Sequence, residues 1–126
     1  MGHPVTHFEI HGQDRQLLLD FYQQVFGWSI DTSSPMQSGL VDTNAGEAGI
    51  RGGIMAGRGT RGVTIYVQTD DVQQTLDVAV AHGAEVVMSP VTMPGGLVEL
   101  AQFRDPEGNW VGLVNDRSLT EAPANK

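Results

Sequence analysis

The sequence predicts an α+β fold that is built from two copies of one βαβββ unit. An alternating strand followed by an amphipathic helix occurs once in each half of the 126 residues, at 5–27 and again at 63–83. Each strand–helix pair is followed by three short apolar runs, which glycine, proline and aspartate separate. A whole pattern of elements that recurs along the chain indicates two modules of the same topology.

The first module begins with the strand VTHFEIHG at residues 5–12. Successive side chains of a strand point to opposite faces, so Phe8 and Ile10 share one face while His7 and Glu9 share the other. We expect the apolar face to pack on the core. The polar face is the first place to look for functional side chains.

Residues 14–27 predict the first helix, which Asp14 caps and Gly27 ends. The runs WSID, GLVDT and GIRGGIM then supply three strands. The buried face of the helix is expected to carry apolar residues at spacings of three and four, namely Leu18, Phe21, Tyr22 and Val25.

The second module repeats this order. Its first strand, residues 63–69, has two faces: Val63, Ile65 and Val67 lie on one, Thr64 and Tyr66 on the other. The helix at 71–83 is expected to begin at the cap Asp71, to stop at Gly83 and to bury Val72, Leu76 and Ala79. The runs EVVMS, LVELAQF and NWVGLV complete the unit.

The chain is short enough to form one domain and long enough to bury a core. We assign residues 1–117 to a single domain. Within that assignment the parts are module one at 5–56, a Gly-Arg-rich linker at 57–61, module two at 62–115 and a flexible tail at 118–126.

Composition excludes several classes of function. Seven basic residues stand against fifteen acidic ones, with a net charge of −8, which argues against nucleic-acid binding. No apolar run is long enough to span a membrane, so no membrane partner is expected. The absence of cysteine removes disulfides, thiolate metal sites and thiol nucleophiles, and it predicts a cytoplasmic location.

The tandem units resemble the vicinal oxygen chelate superfamily, which includes glyoxalases, bleomycin resistance proteins and extradiol dioxygenases. The segments that carry the resemblance are THFEI and DFYQQVFGW in module one, and VTIYVQTDDV, HGAEVV and FRDPEGNWVGL in module two. The resemblance implies that the strands form a curved mixed sheet, or cup, with the helices packed on the outside. Enzymes of this superfamily usually hold a divalent metal ion in the cup.

The resemblance also implies where the metal ligands would stand. They come from the first strand and the last strand of each module, which here means His7, Gly53, Thr64 and Gly112. Glycine and threonine do not supply the imidazole or carboxylate donors that such a site needs. We therefore expect no metal and no other cofactor. Glu9 is a second donor on the face of His7, and it leaves a weak site open.

Small-molecule binding is the expected role of the cup. Glycine leaves space above a sheet for a ligand, and aromatic walls with a few polar groups are typical of a binding site. Trp28, His11 and His82 are interpreted as packing or surface residues instead. The candidate ligand-binding residues are His7, Glu9, Arg51, Gly53, Thr64, Tyr66, Trp110 and Gly112.

Two hypotheses about function remain open, beside a third possibility that the domain serves only as an interaction or regulatory module. The preferred one is a metal-independent binding protein rather than an enzyme, which holds an aromatic or cationic organic ligand in the cup or in the groove of a homodimer. The second is an enzyme of the lyase, isomerase or dioxygenase type, with a weak metal site or with acid–base chemistry at His7 and Glu9. Glu9 and Arg51 have a structural alternative, since they are able to form an ion pair across the sheet.

Overall fold

The computed structural model describes residues 2–33, 39–43, 48–56 and 62–117. The chain divides into two compact units, Thr6–Ile65 on the one hand and Tyr66–Lys126 with Met1–Val5 on the other. The predicted linker and the predicted tail lie outside the described residues. The assignment of a single domain remains a prediction.

The first unit contains one helix and four strands within the described residues. The elements are β1 (Val5–Gly12), α1 (Arg15–Phe26), β2 (Ser29–Asp31), β3 (Gly39–Asp42) and β4 (Arg51–Ala56). β3 pairs antiparallel with both β2 and β4, and β1 lies parallel to β4, so that the order β2-β3-β4-β1 makes a mixed sheet.

Both ends of α1 are fixed as the sequence predicts. The Asp14 carboxylate accepts a hydrogen bond from the Leu17 backbone N–H at 3.0 Å, which satisfies one of the unpaired donors of the first turn. Gly27 has a φ of 71°, in the left-handed region, and its N–H donates to the Gln23 carbonyl at 2.9 Å. The two caps explain why the predicted bounds of this helix are confirmed.

The buried face of α1 differs from the prediction. Leu19 is 3% exposed and packs in the core of this unit, while Phe21 and Val25, which were expected to be buried, are each 53% exposed. Leu18 and Tyr22 are partly buried against the same core, as expected. Three consecutive leucines place apolar side chains around more than half of the helix, so spacing alone does not select the face that meets the sheet.

The second unit has the same order of elements. The elements are β5 (Gly62–Gln68), α2 (Val72–Ala81), β6 (Glu85–Thr92), β7 (Val98–Arg104) and β8 (Trp110–Asp116). Tyr66 and the following residues of β5 lie beside β8. β8 pairs antiparallel with β7, and β7 pairs antiparallel with β6.

The core of the second unit forms under α2. Val72 and Leu76 are 1% and 3% exposed and pack against Ala101 of β7 and Leu113 of β8, as the helical spacing predicts. Asp71 caps the helix by accepting from the Gln74 N–H at 3.0 Å. The helix ends at Ala81 with His82 as its cap residue, and Gly83 follows with a φ of 108°.

The two faces of β5 are buried unequally. Thr64 and Tyr66 are only 5% and 3% exposed, although they were expected to line an open hollow. Val63 and Ile65, on the opposite face, are 66% and 42% exposed. The polar side of this strand is therefore its buried side, which reverses the usual arrangement of an amphipathic strand.

Neither helix of the described residues combines the length and the apolar character that crossing a bilayer would require. Each module has the predicted βαβββ order, so the expected α+β fold class is confirmed.

Candidate functional site

In module one, the polar face of β1 carries three ionisable side chains in a row. Ile10 packs with Phe8 in the core, which turns His7, Glu9 and His11 to the opposite face. The parallel register sets His7 beside Arg51 and Glu9 beside Gly53 of β4. The alternation predicted from sequence therefore brings these candidate residues together on one face of the module.

Glu9 and His11 form a close pair on this face. The Glu9 Oε1 atom lies 3.0 Å from the His11 Nε2 atom, and the two side chains are 16% and 19% exposed. The interpretation of His11 as a surface residue is therefore wrong. Glu9 does not form the ion pair with Arg51 that was considered, and Arg51 is exposed and has no ion pair within the described residues.

The two adjacent glycines of β4 have different roles. A Cβ atom on Gly52 would come within 3.0 Å of the Phe8 ring, so this glycine makes room for core packing. Among the described residues, a Cβ atom on Gly53 would meet the His7 Nε2 atom at 3.9 Å and the Gly39 carbonyl oxygen at 3.8 Å. Gly53 is thus the position beside His7, and these ordinary contact distances leave room there for a methyl group.

In module two, the ring of Tyr66 fills the space above Gly112. A Cβ atom on Gly112 would stand closer than 3.0 Å to three atoms of that ring. The Tyr66 hydroxyl accepts a hydrogen bond from the Gln102 Nε2 atom at 2.8 Å, and Gln102 lies opposite Gly112 in the strand register. The explanation that Gly112 leaves room for a ligand is therefore corrected: the room is taken by the protein itself.

Trp110 lies on the same face of β8 as Gly112, two residues away. The guanidinium carbon of Arg104 stands 5.6 Å from the centre of its ring, and Arg104 also donates to the Glu85 carboxylate at 2.9 Å. The half-buried Trp110 indole is therefore already in contact with a cation, the Arg104 guanidinium, which the Glu85 carboxylate holds in place. A ligand that stacks on this ring would have to share it with Arg104 or displace it.

The predicted candidates form two sets. His7, Glu9, Arg51 and Gly53 lie in the unit Thr6–Ile65, which also contains Thr64, and Tyr66, Trp110 and Gly112 lie in the other unit. The first set is completed by His11 and the second by Gln102 and Arg104, which sequence reasoning missed. Strand alternation was enough to find His11, because it stands two residues after Glu9. Gln102 carries no local signal, since its partner Tyr66 is 36 residues away. Whether any of these residues contacts a ligand remains a prediction.

The chain belongs to the glyoxalase/bleomycin resistance protein/dioxygenase superfamily, because the sequence profile of that family matches residues 5–113. The resemblance drawn from the sequence is thus confirmed. A search among curated proteins found no matching sequence.

Solved structures of the same fold confirm the architecture. The methylmalonyl-CoA epimerase of Streptomyces coelicolor, solved in complex with 2-nitronate-propionyl-CoA, superposes with a TM-score of 0.65 at 16% identity, over 92% of this chain and 99% of that one. A glyoxalase/bleomycin resistance protein/dioxygenase superfamily member from Vibrio splendidus 12B01 gives 0.67 at 14% identity, over 90% and 99%. The methylmalonyl-CoA epimerase of Mycobacterium tuberculosis gives 0.67 at 12% identity, over 94% and 91%.

The four positions that the resemblance implies for metal ligands carry few donor atoms. Of the four, His7 alone offers an imidazole or a carboxylate, and the ring of Tyr66 takes the space of a side chain at Gly112. Across the part of the chain that the structure describes, there is no group of three or more His, Cys, Asp or Glu residues with the spacing of a metal site. A divalent cation requires several such donors at bonding distance.

Proposed function

We propose that this protein binds a small organic molecule, aromatic or cationic, without a metal ion. The single observation that carries the proposal is the contact of Tyr66 with Gly112. A carboxylate cannot be accommodated at position 112 while that ring is in place. The second module therefore has a packed, uncharged surface at the position where a metal enzyme would carry a side chain that coordinates the metal. Absence of cysteine supports a cytoplasmic location for this activity.

Charge supports a neutral or cationic ligand over a strongly anionic one. The chain carries a net charge of −8, which raises the local concentration of cations. The coenzyme A derivative in the epimerase structure is anionic through its phosphates, and binding phosphates calls for free basic side chains. Arg104, the arginine next to Trp110, is bound to Glu85, which leaves Arg51 as the one arginine of the candidate site with no ion pair in the described part of the chain. A cationic aromatic compound would replace the Arg104 guanidinium over the Trp110 indole and would bring no negative charge to this acidic chain.

The first experiment is a ligand screen on chelator-treated protein by thermal shift, followed by equilibrium dialysis. The compounds are cationic glycopeptides, cationic aromatics, neutral aromatics and coenzyme A esters. We expect the cationic aromatics or glycopeptides to raise the unfolding temperature in the presence of the chelator. Trp110→Ala should weaken their binding about tenfold, which is the size of a lost cation–π contact. Trp110→Phe should retain most of the affinity.

The matched control is Leu97→Ala, since Leu97 is 44% exposed and precedes β7 in the turn that follows β6. The proposal fails if no compound stabilises the folded protein, or if the chelator abolishes every stabilisation. Elemental analysis of protein purified without chelator and without an affinity tag gives an independent check. One equivalent of nickel, zinc, iron or manganese per chain would overturn it.

A second candidate function, acid–base catalysis, is favoured by the pair of Glu9 and His11. When the carboxylate is ionised, Nε2 of His11 donates to it, and Nδ1 is left with a lone pair that can accept a proton. A carboxylate that orients an imidazole in this way is a common arrangement for a general base. His7 lies on the same strand face as Glu9, so the imidazole of His7 is a second candidate base on this face.

Proton abstraction next to a carbonyl group is the reaction class to test, by following solvent deuterium incorporation into α-substituted carbonyl compounds with NMR. If the pair is catalytic, Glu9→Gln and His11→Asn should each abolish exchange. His82→Asn should not, because His82 is exposed at the end of α2. No exchange above the uncatalysed rate for any compound would contradict this candidate and leave the binding function as the proposal.

A further inference from the structure

One side chain from each of the strands β6, β7 and β8 forms a row across module two. In the strand register Glu85 of β6 pairs with Arg104 of β7, and Arg104 pairs with Trp110 of β8. Paired residues of neighbouring antiparallel strands point to the same face of a sheet, so Arg104 lies between a carboxylate and an indole ring. The row lies next to the turn that joins β7 to β8.

Arg104 makes one contact with each of its two neighbours, and both contacts are weak. Its Nη1 atom donates to the Glu85 Oε1 atom at 2.9 Å, and its guanidinium carbon lies 5.6 Å from the centre of the Trp110 ring. The side chains of Arg104 and Glu85 are 42% and 74% exposed. Ion pairs and cation–π contacts at such exposed positions contribute little to stability, so Arg104 can leave the row at small cost.

The Glu85 carboxylate has further capacity to accept hydrogen bonds. Within the described part of the chain it accepts one, from Arg104 to Oε1. Amidinium and guanidinium groups are able to donate two parallel N–H bonds to the two oxygens of a carboxylate, an arrangement that is stronger and more specific than a single bond. A planar cation that is not tethered to β7 can form this second bond, which Arg104 does not form.

The surroundings of the row are acidic. The turn at 105–109 adds the carboxylates of Asp105 and Glu107 and no basic side chain. Hydrogen bonds from Asn109 lower the pKa of Asp105, so this carboxyl group is ionised at neutral pH. If Arg104 leaves the row, its charge no longer offsets these carboxylates and that of Glu85. The local potential then favours another cation in its place.

Movement of the Arg104 side chain out of the row opens a gap between the carboxylate and the ring. Neighbouring strands are about 4.8 Å apart, so the backbones of Glu85 and Trp110, which lie two strands apart, are separated by about 10 Å. A phenyl ring that carries an amidinium or guanidinium group spans most of such a gap. Its charged end is then able to meet the carboxylate while its flat face lies on the indole.

We propose that Glu85 and Trp110 form a subsite for planar organic cations of the amidinium or guanidinium class, and that the Arg104 side chain occupies this subsite until a ligand displaces it. The subsite rests on the binding function proposed above and names the part of the ligand that it holds. Planar, weakly hydrated cations stack on aromatic rings more readily than a compact, strongly hydrated ammonium group. Arg104 thus competes with the ligand from within the chain.

The first test compares three probes of nearly the same size. Benzamidine is a planar cation, benzamide is planar and neutral, and benzylamine carries an ammonium group. Binding is followed by NMR through the indole N–H signals of the two tryptophans, which Trp110→Phe assigns. We expect benzamidine to shift the Trp110 signal and to leave that of Trp28, which packs on the core of module one, in place. Equal binding of the three probes would overturn the assigned class of ligand.

The second test removes the competing side chain. If Arg104 occupies the subsite for about nine-tenths of the time, Arg104→Leu should raise the affinity for benzamidine about tenfold, because a ligand binds only the fraction of molecules in which the subsite is open. Arg117→Leu is the matched control, since it removes the same charge just beyond the other end of β8. It should bind benzamidine as the wild type does. Equal affinities of the wild type and Arg104→Leu would contradict the role of Arg104.

The third test removes the carboxylate in the Arg104→Leu chain. Adding Glu85→Gln should reverse most of the gain in affinity, whereas adding Glu107→Gln, which removes the same charge from the neighbouring turn, should retain it. Near-UV circular dichroism confirms that each variant is folded.

The outcomes for the subsite and for the proposed function are distinguishable. If benzamidine leaves the Trp110 signal of Arg104→Leu unmoved, the subsite is wrong, even if the wider ligand screen finds other compounds. If benzamidine shifts that signal in Arg104→Leu while no compound stabilises the wild type, the subsite and its occupation by Arg104 are supported and the proposed function fails.

Discussion

The ring of Tyr66 occupies the space that a side chain on Gly112 would need. A Cβ atom on the glycine would stand closer than 3.0 Å to the ring, and the ring is fixed at its other end by the hydrogen bond from Gln102. This contact explains why residue 112 is glycine, since any other residue has a side chain that would collide with Tyr66.

The first prediction compares the corresponding glycines of the two modules. Gly112→Ala should reduce the free energy of unfolding by about 1–3 kcal/mol, because the added methyl group forces Tyr66 or the strand to move. Gly53→Ala should change it by no more than about 0.5 kcal/mol, because the nearest atoms stand at 3.8 and 3.9 Å. Urea denaturation of the two variants measures both values. Equal costs would contradict the assigned contact.

The second prediction concerns the hydrogen bond between Tyr66 and Gln102. Tyr66→Phe removes the acceptor of a buried amide and should cost about 1–3 kcal/mol in the free energy of unfolding. Gln102→Leu should also destabilise the fold, and the double variant should cost less than the sum of the two because both changes remove the same hydrogen bond. A double-mutant cycle by urea denaturation tests this. Strict additivity would show that the two side chains do not interact.

The third prediction is that one substitution creates metal affinity in module one. Gly53→Glu sets a carboxylate beside the His7 imidazole and on the same sheet face as Glu9, which together supply three donors of the metal-binding type. We expect calorimetry to show Zn²⁺ binding by the variant that exceeds any binding by the wild type.

Two further variants serve as controls for this gain. Gly53→Gln has nearly the same shape without the negative charge, and His7→Ala in the Gly53→Glu chain removes the imidazole. Both should lose the added affinity, since a divalent cation needs several good donors. Equal binding by the wild type and Gly53→Glu would count against the assignment of position 53.

The fourth prediction follows from the acidic turn between β7 and β8. The side-chain and backbone hydrogen bonds from Asn109 lower the pKa of Asp105, and bonds from the Glu107 and Gly108 backbones act in the same direction. A carboxyl whose pKa is lower in the folded state stabilises the protein above its unfolded pKa, and this contribution is lost as the pH falls through the folded pKa.

Asp105→Ala should therefore lower the unfolding temperature at neutral pH. Below about pH 4 the unfolding temperature of the variant should fall less steeply with decreasing pH than that of the wild type. Thermal unfolding followed by circular dichroism across that range measures the effect. Glu107→Gln is the control, because it removes one negative charge from the same exposed turn and keeps the backbone hydrogen bond to Asp105. If the two variants show the same pH dependence, the turn contributes through net charge alone.

Local sequence signals predicted the elements well. The bounds of β1 agree with its predicted range, and the caps Asp14 and Asp71 start their helices as expected. These features depend on residues a few positions apart, such as the carboxylate of a cap and the N–H groups of the next turn. The repeat of one βαβββ order was visible for the same reason.

The candidate site was predicted in part. Alternation placed His7 and Glu9 on one strand face, and the register sets the predicted residues Arg51 and Gly53 beside them. The partner of Glu9 was not predicted, because a choice between Arg51 and His11 depends on side-chain directions that a strand pattern does not contain. The exposed positions of Phe21 and Val25 were likewise missed, since an apolar residue on a helix is predicted to be buried unless the packing is known.

The sequence by itself determined the class of fold, the two modules and the shortage of metal-binding side chains at the family positions. These conclusions need only residue identity and spacing. The tertiary structure decided what fills the space above Gly112, which residue Glu9 contacts and which face of α1 remains exposed. The physical reason is that each of these features depends on how side chains from distant parts of the chain pack together. In a close-packed interior one side chain excludes others from its volume, and residue spacing along the chain does not specify which one occupies it.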